Sequence, residues 1–268
     1  MADVRASFSG SMPEYYDRCL GPAWLDAYAR DLARRLAPKP PGDVLEIACG
    51  TGLVTRRLRE RLDASVRLVA TDLSSAMLDY ARGKLGGSGD IEFREADAAE
   101  LPFADGEFGA VVCAFGIMFV PDKRAALREA HRVMKDGGIL LFSVWDRIEE
   151  NPHAASTAQV VEGLFPGDEE MRFRMPYEMH DPAMLRGLLA TTGFNEVRVE
   201  TRQLPMEPVS ARTLATGQVR GTPRSLLIEK RGVSLDDVID KAAAALARIG
   251  GEDPYRGVAQ ALVVEARR

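Results

Sequence analysis

The sequence predicts an α/β protein built on a doubly wound, mostly parallel sheet, and three observations lead to this prediction. Apolar strand-like runs alternate with amphipathic helix-like runs between residues 43 and 146. The runs at 109–115 and 139–145 are almost wholly apolar, as strands covered on both faces are. A turn of small residues, Ala48 to Gly52, follows the first strand-like run and precedes a helix-like one.

The N-terminal residues predict two helices before the sheet begins. Ser11 and Glu14 have the spacing of a capping box, and Pro13 suits a first helical turn. We expect Gly21-Pro22 to interrupt this helix and a second helix to extend to about residue 37. These helices would form a cap covering residues 1–42.

The alternating part of the chain predicts five strands and three helices. They are expected as strands at 43–48, 66–71, 91–96, 109–115 and 139–145, and as helices at 53–62, 74–85 and 121–135. Ser74 is the expected N-cap of the second of these helices, and Gly137-Gly138 the expected end of the third. Residues 43–146 would therefore form the core of one ligand-binding unit.

The remaining residues, 147–268, predict cap insertions followed by the last elements of the core. Helices are expected at 154–164, 181–194, 211–219 and 235–249, and strands at 195–204 and 261–266. With these two strands the sheet would have seven strands.

Composition restricts the classes of partner. The chain has 268 residues and a net charge of −5, with no block of lysine and arginine, which disfavours nucleic acid. Three irregularly spaced cysteines are typical of reduced thiols in a cytoplasmic protein, and they suggest no metal site. We expect no signal peptide and no membrane span, because the most hydrophobic run, 139–145, is short. A monomer and a homodimer are both compatible with the sequence.

Three acidic residues follow three successive strands. Glu46 ends the first strand, Asp72 ends the second strand twenty residues after Gly52, and Asp97 follows the third. Ligands of open α/β sheets bind outside the carboxyl ends of the strands, where a carboxylate can accept hydrogen bonds from ribose hydroxyls. Alone, Asp72 could be an acidic residue at a helix N-terminus and Asp97 would more often be a turn or cap residue, but the three together predict one adenosine-binding cleft.

These segments together resemble the ordered motifs of class I S-adenosylmethionine (SAM)-dependent methyltransferases. The matching stretches are LEIACGTG, TDLSSAML, EADAAELPF, VVCAFGIMF and GGILLFSVW. They are most similar to the group that includes ubiquinone/menaquinone C-methyltransferases and bacterial small-molecule enzymes. The resemblance implies a Rossmann-like sheet with an antiparallel last strand, SAM as cofactor, and methyl transfer to a small molecule by direct displacement.

The resemblance also implies a role for particular residues of this chain. Glu46 would orient the methionine amino group of SAM, and Asp72 would hold the ribose. The remaining cofactor contacts implied are Ala48, Cys49, Gly50 and Gly52 at the methionine end, Leu73, Met77, Asp97 and Ala98 around adenine, and Tyr16 and Phe115 near the sulfonium. Ala48 departs from the family, which has glycine there. Cys49 as a nucleophile is disfavoured, since a tight turn explains a small residue.

The methyl acceptor is expected to bind under residues 8–30, 147–180 and 205–256. Their apolar side chains include Phe8, Tyr15, Trp24, Phe165, Phe173, Met175 and Met179, which suit an apolar or aromatic acceptor. The alternative is that these side chains only pack the cap onto the sheet. His153, His180 and Tyr16 are the candidate catalytic residues, with Tyr177 beside them, should the acceptor have to lose a proton.

Three other functions remain open. An NAD(P)-dependent oxidoreductase shares the strand-turn-helix, but Thr55 stands where its fingerprint requires the third glycine. A SAM-binding regulatory protein without catalysis would keep the same cofactor residues. A macromolecular acceptor is disfavoured by the acidic charge and by AFGIMFVPD, which lacks an NPPY-like signature.

Overall fold

A seven-stranded sheet forms the centre of the computed structural model, which describes residues 10–86 and 90–268. Its strands are β1 (Asp43–Ile47), β2 (Leu68–Asp72), β3 (Ile91–Glu95), β4 (Phe108–Ala114), β5 (Met134–Trp145), β6 (Asn195–Pro205) and β7 (Val258–Arg267). They lie in the order β3-β2-β1-β4-β5-β7-β6. The first five are parallel, and β7 runs antiparallel to both β5 and β6. The predicted fold class is therefore confirmed.

The chain winds in both directions from β1. Because β2 and β4 pair with opposite edges of β1, the connections leave a crevice at the carboxyl end of β1. The helices are α1 (Met12–Tyr15), α2 (Asp26–Arg35), α3 (Leu53–Arg61), α4 (Ser75–Leu85), α5 (Lys123–Val133), α6 (Pro152–Leu164), α7 (Pro182–Ala190), α8 (Ala211–Arg220), α9 (Arg224–Lys230) and α10 (Leu235–Gly250). Among the described residues, no helix is long and apolar enough to cross a membrane.

The N-terminal region is one continuous helix, and the expected break at Gly21-Pro22 is wrong. A π-helical segment, Tyr16–Leu25, joins α1 to α2, and Asp26 N–H donates to the carbonyl of Gly21 five residues back. Proline lacks an N–H and clashes with the preceding turn of an α-helix, and here the helix continues past Pro22 through wider π turns. The expected capping box is also wrong, because the Ser11 side chain makes no cap hydrogen bond.

The end of α5 differs from the prediction as well. The helix stops at Val133, and Met134 is already extended because it pairs with Phe108 of β4. Gly137 therefore lies within β5, with φ of +74°, and does not terminate the helix. Pairing with a neighbouring strand has here overridden a local helical pattern. The Ser74 N-cap is confirmed, since its hydroxyl accepts from Met77 N–H.

Helices from both ends of the chain cover the crevice. The π-helical segment packs against α8, and α10 packs against α6 and α8. The Tyr28 hydroxyl lies 2.8 Å from the carbonyl oxygen of Arg202 and 2.7 Å from that of Ala259, so it connects α2 to β6 and β7. Helix α9 and four short 3₁₀ turns, including Ile117–Phe119 and Met175–Tyr177, were not expected from the sequence.

Candidate active site

One large cleft lies at the carboxyl end of the parallel strands, between two walls of different origin. The sheet wall consists of the residues after β1, β2, β3 and β4 that line the cleft: Ala48, Gly50, Asp72, Leu73, Ser74, Met77, Ala96, Asp97, Ala98, Phe115 and Gly116. The cap wall consists of Tyr16, Leu20, Trp24 and Leu25 of the N-terminal helix together with His153, Phe173, Pro176, Tyr177, Gln218 and Arg224.

Asp72 is fixed in the sheet wall by the backbone around it. Its carboxylate accepts from Gly50 N–H at 2.8 Å and from Ser74 N–H at 2.9 Å. Burial raises the pKa of Asp72, while these N–H groups favour its charged form. A carboxylate has about four lone-pair sites, so Asp72 retains capacity for hydroxyl donors. The expected neighbours Leu73, Met77, Asp97 and Ala98 line the same cleft.

A smaller recess adjoins the cleft beneath the turn after β1. Glu46, Cys49 and Thr51 line it. Glu46 is 1% exposed, its Oε2 has no hydrogen-bond partner, and burial raises its pKa to about 8. Such an isolated acidic oxygen is suited to a cationic or N–H donor group of a ligand. The Cys49 thiol stays protonated because burial raises its pKa well above the usual value.

The turn itself has an unusual backbone. Ala48, Gly50 and Gly52 have φ values of +53°, +55° and +75°, in the left-handed region that favours glycine. Gly50 has open space where a Cβ would be, so a ligand can approach its backbone. Gly52 is outside the cleft lining: a Cβ there would lie 2.8 Å from Leu85, so it serves packing between helices.

Gly116 explains why alanine is tolerated at position 48. A Cβ placed on Gly116 would lie only 2.4 Å from the Ala48 Cβ. The space that the Ala48 methyl needs therefore exists because residue 116 has no side chain. This complementary pair is a feature that the sequence motifs alone do not reveal.

Aromatic rings stack where the two walls meet. Phe115 stacks on Trp145 with 4.0 Å between ring centroids, and Tyr28 packs edge-on against both. On the cap wall, Trp24 stacks on His153 at 4.5 Å. The ends of β4 and β5 are thus joined to the N-terminal helix and α6 by ring contacts.

His153 is buried in this cluster and is only 2% exposed. Its Nδ1 lies 2.9 Å from the Gln218 side-chain nitrogen, and because the Gln218 oxygen accepts from Thr157 we assign Nδ1 as the acceptor and place the proton on Nε2. Nε2 has no partner among the described residues. Burial lowers the pKa of His153 to about 3, so the ring is neutral near pH 7.

The structure brings most of the predicted residues together but not all of them. Tyr16 and Phe115 line both the cleft and the recess, whereas His180 lines neither and its Nδ1 lies 2.7 Å from the Tyr177 carbonyl. Among the apolar candidates, Met179 is buried in the core, and Tyr15, Phe165 and Met175 are outside the lining. Phe8 lies outside the described residues.

Several lining residues were missed by the sequence reasoning. Trp145 ends β5, and its position at a strand end was an available signal. Gln218 and Arg224 lie in and after α8, where the sequence contains no motif, so only the folding of the chain shows that they reach the cleft. The described residues contain no group of three potential metal ligands.

Comparison with known proteins agrees with this geometry. Residues 45–142 match the family described as "Methyltransferase domain". Residues 45–142 therefore form a methyltransferase domain. The match confirms the resemblance of the motifs to class I SAM-dependent methyltransferases, whose cofactor is SAM, and it contains β1 to most of β5.

Curated relatives match part of the chain. The chain is 44% identical over 101 residues to the ubiquinone/menaquinone biosynthesis C-methyltransferase UbiE of Pseudomonas savastanoi, covering 37% of this chain and 40% of that protein. It is 34% identical over 168 residues to UbiE of Pseudomonas aeruginosa, and this match covers 58% of this chain and 65% of that protein. The first matches thus span about 40% of the relatives' own length.

Solved structures support the fold of the methyltransferase domain and its cap. The YcgJ protein of Bacillus subtilis superposes with a TM-score of 0.59 at 15% identity, over 90% of this chain and 98% of that one. A phosphoethanolamine N-methyltransferase 2 of Haemonchus contortus, solved with SAM, superposes with a TM-score of 0.61 at 16% identity. The superposition covers 98% of this chain and 58% of that one. At such identities the likeness concerns the fold alone.

Proposed function

We propose that the protein is a SAM-dependent methyltransferase that acts on a small apolar or aromatic acceptor. The observation that carries the proposal is the single cleft in which Asp72 and Asp97 share a wall and the Glu46 recess adjoins them. The opposite wall is mostly apolar, as expected for an acceptor that must be held away from water.

The residues present fit SAM at its methionine ammonium and at its ribose. The unpartnered Oε2 of Glu46 and its raised pKa suit a methionine ammonium, which would favour the charged carboxylate. Asp72 would accept from ribose hydroxyls while Gly50 and Ser74 hold it in place. When bound, SAM supplies a methyl group already activated by its sulfonium.

The protein's own contribution would be position and electrostatics. Orienting two reactants can supply about 7–11 kcal/mol of a barrier, and the two walls of the cleft would do this. Aromatic faces beside a sulfonium, such as Tyr16 and Phe115, would add roughly 0.5–2 kcal/mol.

The candidate catalytic residues receive different roles. A side chain with a pKa of about 3 is a poor base near pH 7, so we assign His153 to hydrogen bonding with the acceptor. Burial raises the pKa of Tyr16, which keeps its hydroxyl protonated and suits it to positioning. His180 receives no role in transfer because it does not line the cleft.

A quinone-like ring is one acceptor compatible with the apolar lining. The relatives are named for ubiquinone and menaquinone biosynthesis, and their similarity supports C-methylation as a candidate chemistry. The support is limited in extent, since the match with the higher identity, 44%, covers 37% of this chain and the longer match, at 34% identity, covers 58%.

Calorimetry of S-adenosylhomocysteine (SAH) and NAD binding tests the proposed cofactor. We expect the wild type to bind SAH and not NAD, and Asp72→Asn to weaken SAH binding about 30-fold or more, the effect of removing one partner of a buried charged hydrogen bond. Asp79→Asn is the matched control, because Asp79 is 73% exposed and pairs with Arg82. Binding of NAD without SAH would contradict the proposal.

Methyl transfer itself is tested separately. Protein, tritiated SAM and a small-molecule extract should give labelled products that depend on the protein and disappear with Asp72→Asn. Tight SAH binding with no transfer in any extract fraction would favour a SAM-binding regulatory protein instead.

A further inference from the structure

The cap wall contains a buried arginine with no acidic partner. Arg224, which begins α9, is 6% exposed and lines the cleft. Its Nε has no hydrogen-bond partner, and no ion pair to it occurs within residues 10–86 and 90–268. Its guanidinium carbon lies 5.2 Å from the centroid of the Phe173 ring.

Three other partly buried arginines show the usual arrangement, in which the guanidinium is paired with an acidic side chain. Arg57 binds Asp26 at 2.7 Å, Arg35 binds Asp31 at 2.8 Å, and Arg231 binds Glu170 at 2.9 Å. Glu162, whose charge acts on Arg224, is itself paired with Arg174 at 3.1 Å. An unpaired buried charge costs free energy, so its position requires an explanation.

Hydrogen-bond donors also outnumber acceptors in this part of the cleft. Trp24 Nε1 and His153 Nε2 are buried N–H groups without partners, and both residues line the cleft. The Gln218 oxygen accepts from Thr157, and the carboxylates of the cleft belong to the opposite, sheet wall. A ligand that pairs with these N–H groups of the cap wall must therefore carry oxygen atoms that accept hydrogen bonds.

We propose that the methyl acceptor carries a carboxylate that binds Arg224, on an apolar or aromatic skeleton held between the two walls. The proposal rests on the proposed function, since it names the acceptor class of the same site. A planar guanidinium matches a carboxylate through two parallel hydrogen bonds. One arginine balances a single negative charge, whereas a phosphate monoester would bring nearly two.

The test compares the affinity of protein saturated with SAH for carboxylic acids with its affinity for the methyl esters of the same acids. The probes are benzoate, 2-naphthoate and 1-hydroxy-2-naphthoate, each compared with its methyl ester, and binding is followed by quenching of tryptophan fluorescence. Trp24 and Trp145 line the cleft and would report the ligand. We expect at least one acid to bind about 30-fold or more tightly than its ester.

Arg224→Met should abolish this preference while leaving the ester affinity unchanged. The matched control is Arg212→Met on α8, which removes a 63% exposed guanidinium paired with Asp240 and changes net charge equally. We expect Arg212→Met to retain the wild-type preference. The melting temperature of Arg224→Met should be unchanged or raised, because the variant removes an unpaired buried charge.

The possible failures are distinguishable. Acid and ester binding equally across the panel, or no acid binding at all, would overturn the carboxylate proposal while SAH binding still supports the proposed function. Loss of SAH affinity in Arg224→Met would assign the guanidinium to the cofactor, and a melting temperature lowered by several degrees would assign it to folding. Either result also overturns the proposal.

Discussion

The two walls of the cleft differ in whether their buried polar groups have hydrogen-bond partners within the protein. On the sheet wall, the Asp72 carboxylate is held by two backbone N–H groups, and the strained turn that supplies one of them is short and local. On the cap wall, Trp24, His153 and Arg224 each leave a buried N–H without a partner. Among the described residues of the sheet wall, no buried side-chain nitrogen or oxygen lacks a hydrogen-bond partner, whereas the adjoining recess has such atoms, on Glu46 and Thr51.

This difference indicates where stability and specificity reside. The hydrogen bonds to Asp72 come from the backbone of a strand-turn-helix, at the edge where ligands of open α/β sheets bind. Unpartnered donors carry a cost in the ligand-free protein, which natural proteins accept at functional sites. The acceptor is therefore expected to be selected by the cap wall.

The largest expected effect concerns packing within the sheet wall. Gly116→Ala places a Cβ 2.4 Å from the Ala48 Cβ and 3.0 Å from Cys113 Sγ, and we expect it to lower the free energy of unfolding by about 3 kcal/mol, measured in urea. Ala48→Gly alone should change stability by about 1 kcal/mol or less, since it also relieves a positive φ. The double variant should recover most of the loss; additive losses would show that the two positions are not coupled.

The next effect concerns how stability depends on pH, and it distinguishes His153 of the cap wall from Glu46 of the recess beside the sheet wall. His153 has a pKa of about 3 in the folded protein and about 6.5 in the unfolded chain. Its contribution to the free energy of unfolding is therefore complete above about pH 6.5 and is lost as the pH falls towards about 3. Glu46 has a pKa of about 8 in the folded protein and about 4.3 in the unfolded chain. Its contribution to the free energy of unfolding is therefore complete below about pH 4.3 and is lost as the pH rises through about 8. Between pH 4.5 and 6.5 the two trends oppose each other.

Single substitutions should reveal each trend. In Glu46→Gln, stability should rise with pH between 4.5 and 6.5 by up to about 1.4 kcal/mol per unit more steeply than in the wild type. In His153→Phe, which retains a ring against Trp24, it should rise less steeply or fall. Urea unfolding at several pH values measures both slopes. Parallel pH profiles for both variants and the wild type would contradict the assigned burial of these two groups.

The smallest effect concerns how the cap is attached. Tyr28→Phe removes a hydroxyl that lies within 2.8 Å of two strand carbonyls but leaves the ring against Phe115 and Trp145. We expect a loss of about 1 kcal/mol in unfolding free energy, because one proton donates to one carbonyl at a time. Tyr80→Phe is the control, since its hydroxyl makes only a 3.4 Å contact with Asp17. Equal losses in both variants would remove the special role of Tyr28.

The sequence by itself determined the parts of the molecule that depend on neighbouring residues. Strand and helix alternation, the Ser74 cap, and the carboxylates after β1, β2 and β3 all follow from local periodicity and from the rule that parallel strands end at one edge. These features specify the sheet wall, which is why its residues were predicted in advance.

Only the tertiary structure decided the cap wall and two element boundaries. The π-helical turn at Pro22 and the early start of β5 depend on packing and strand pairing that local propensity does not contain. Gln218 meets His153 across more than sixty residues of chain, because α6 and α8 both pack on α10. Contacts of this kind have no spacing rule in the sequence, since they are set by how separate elements pack together.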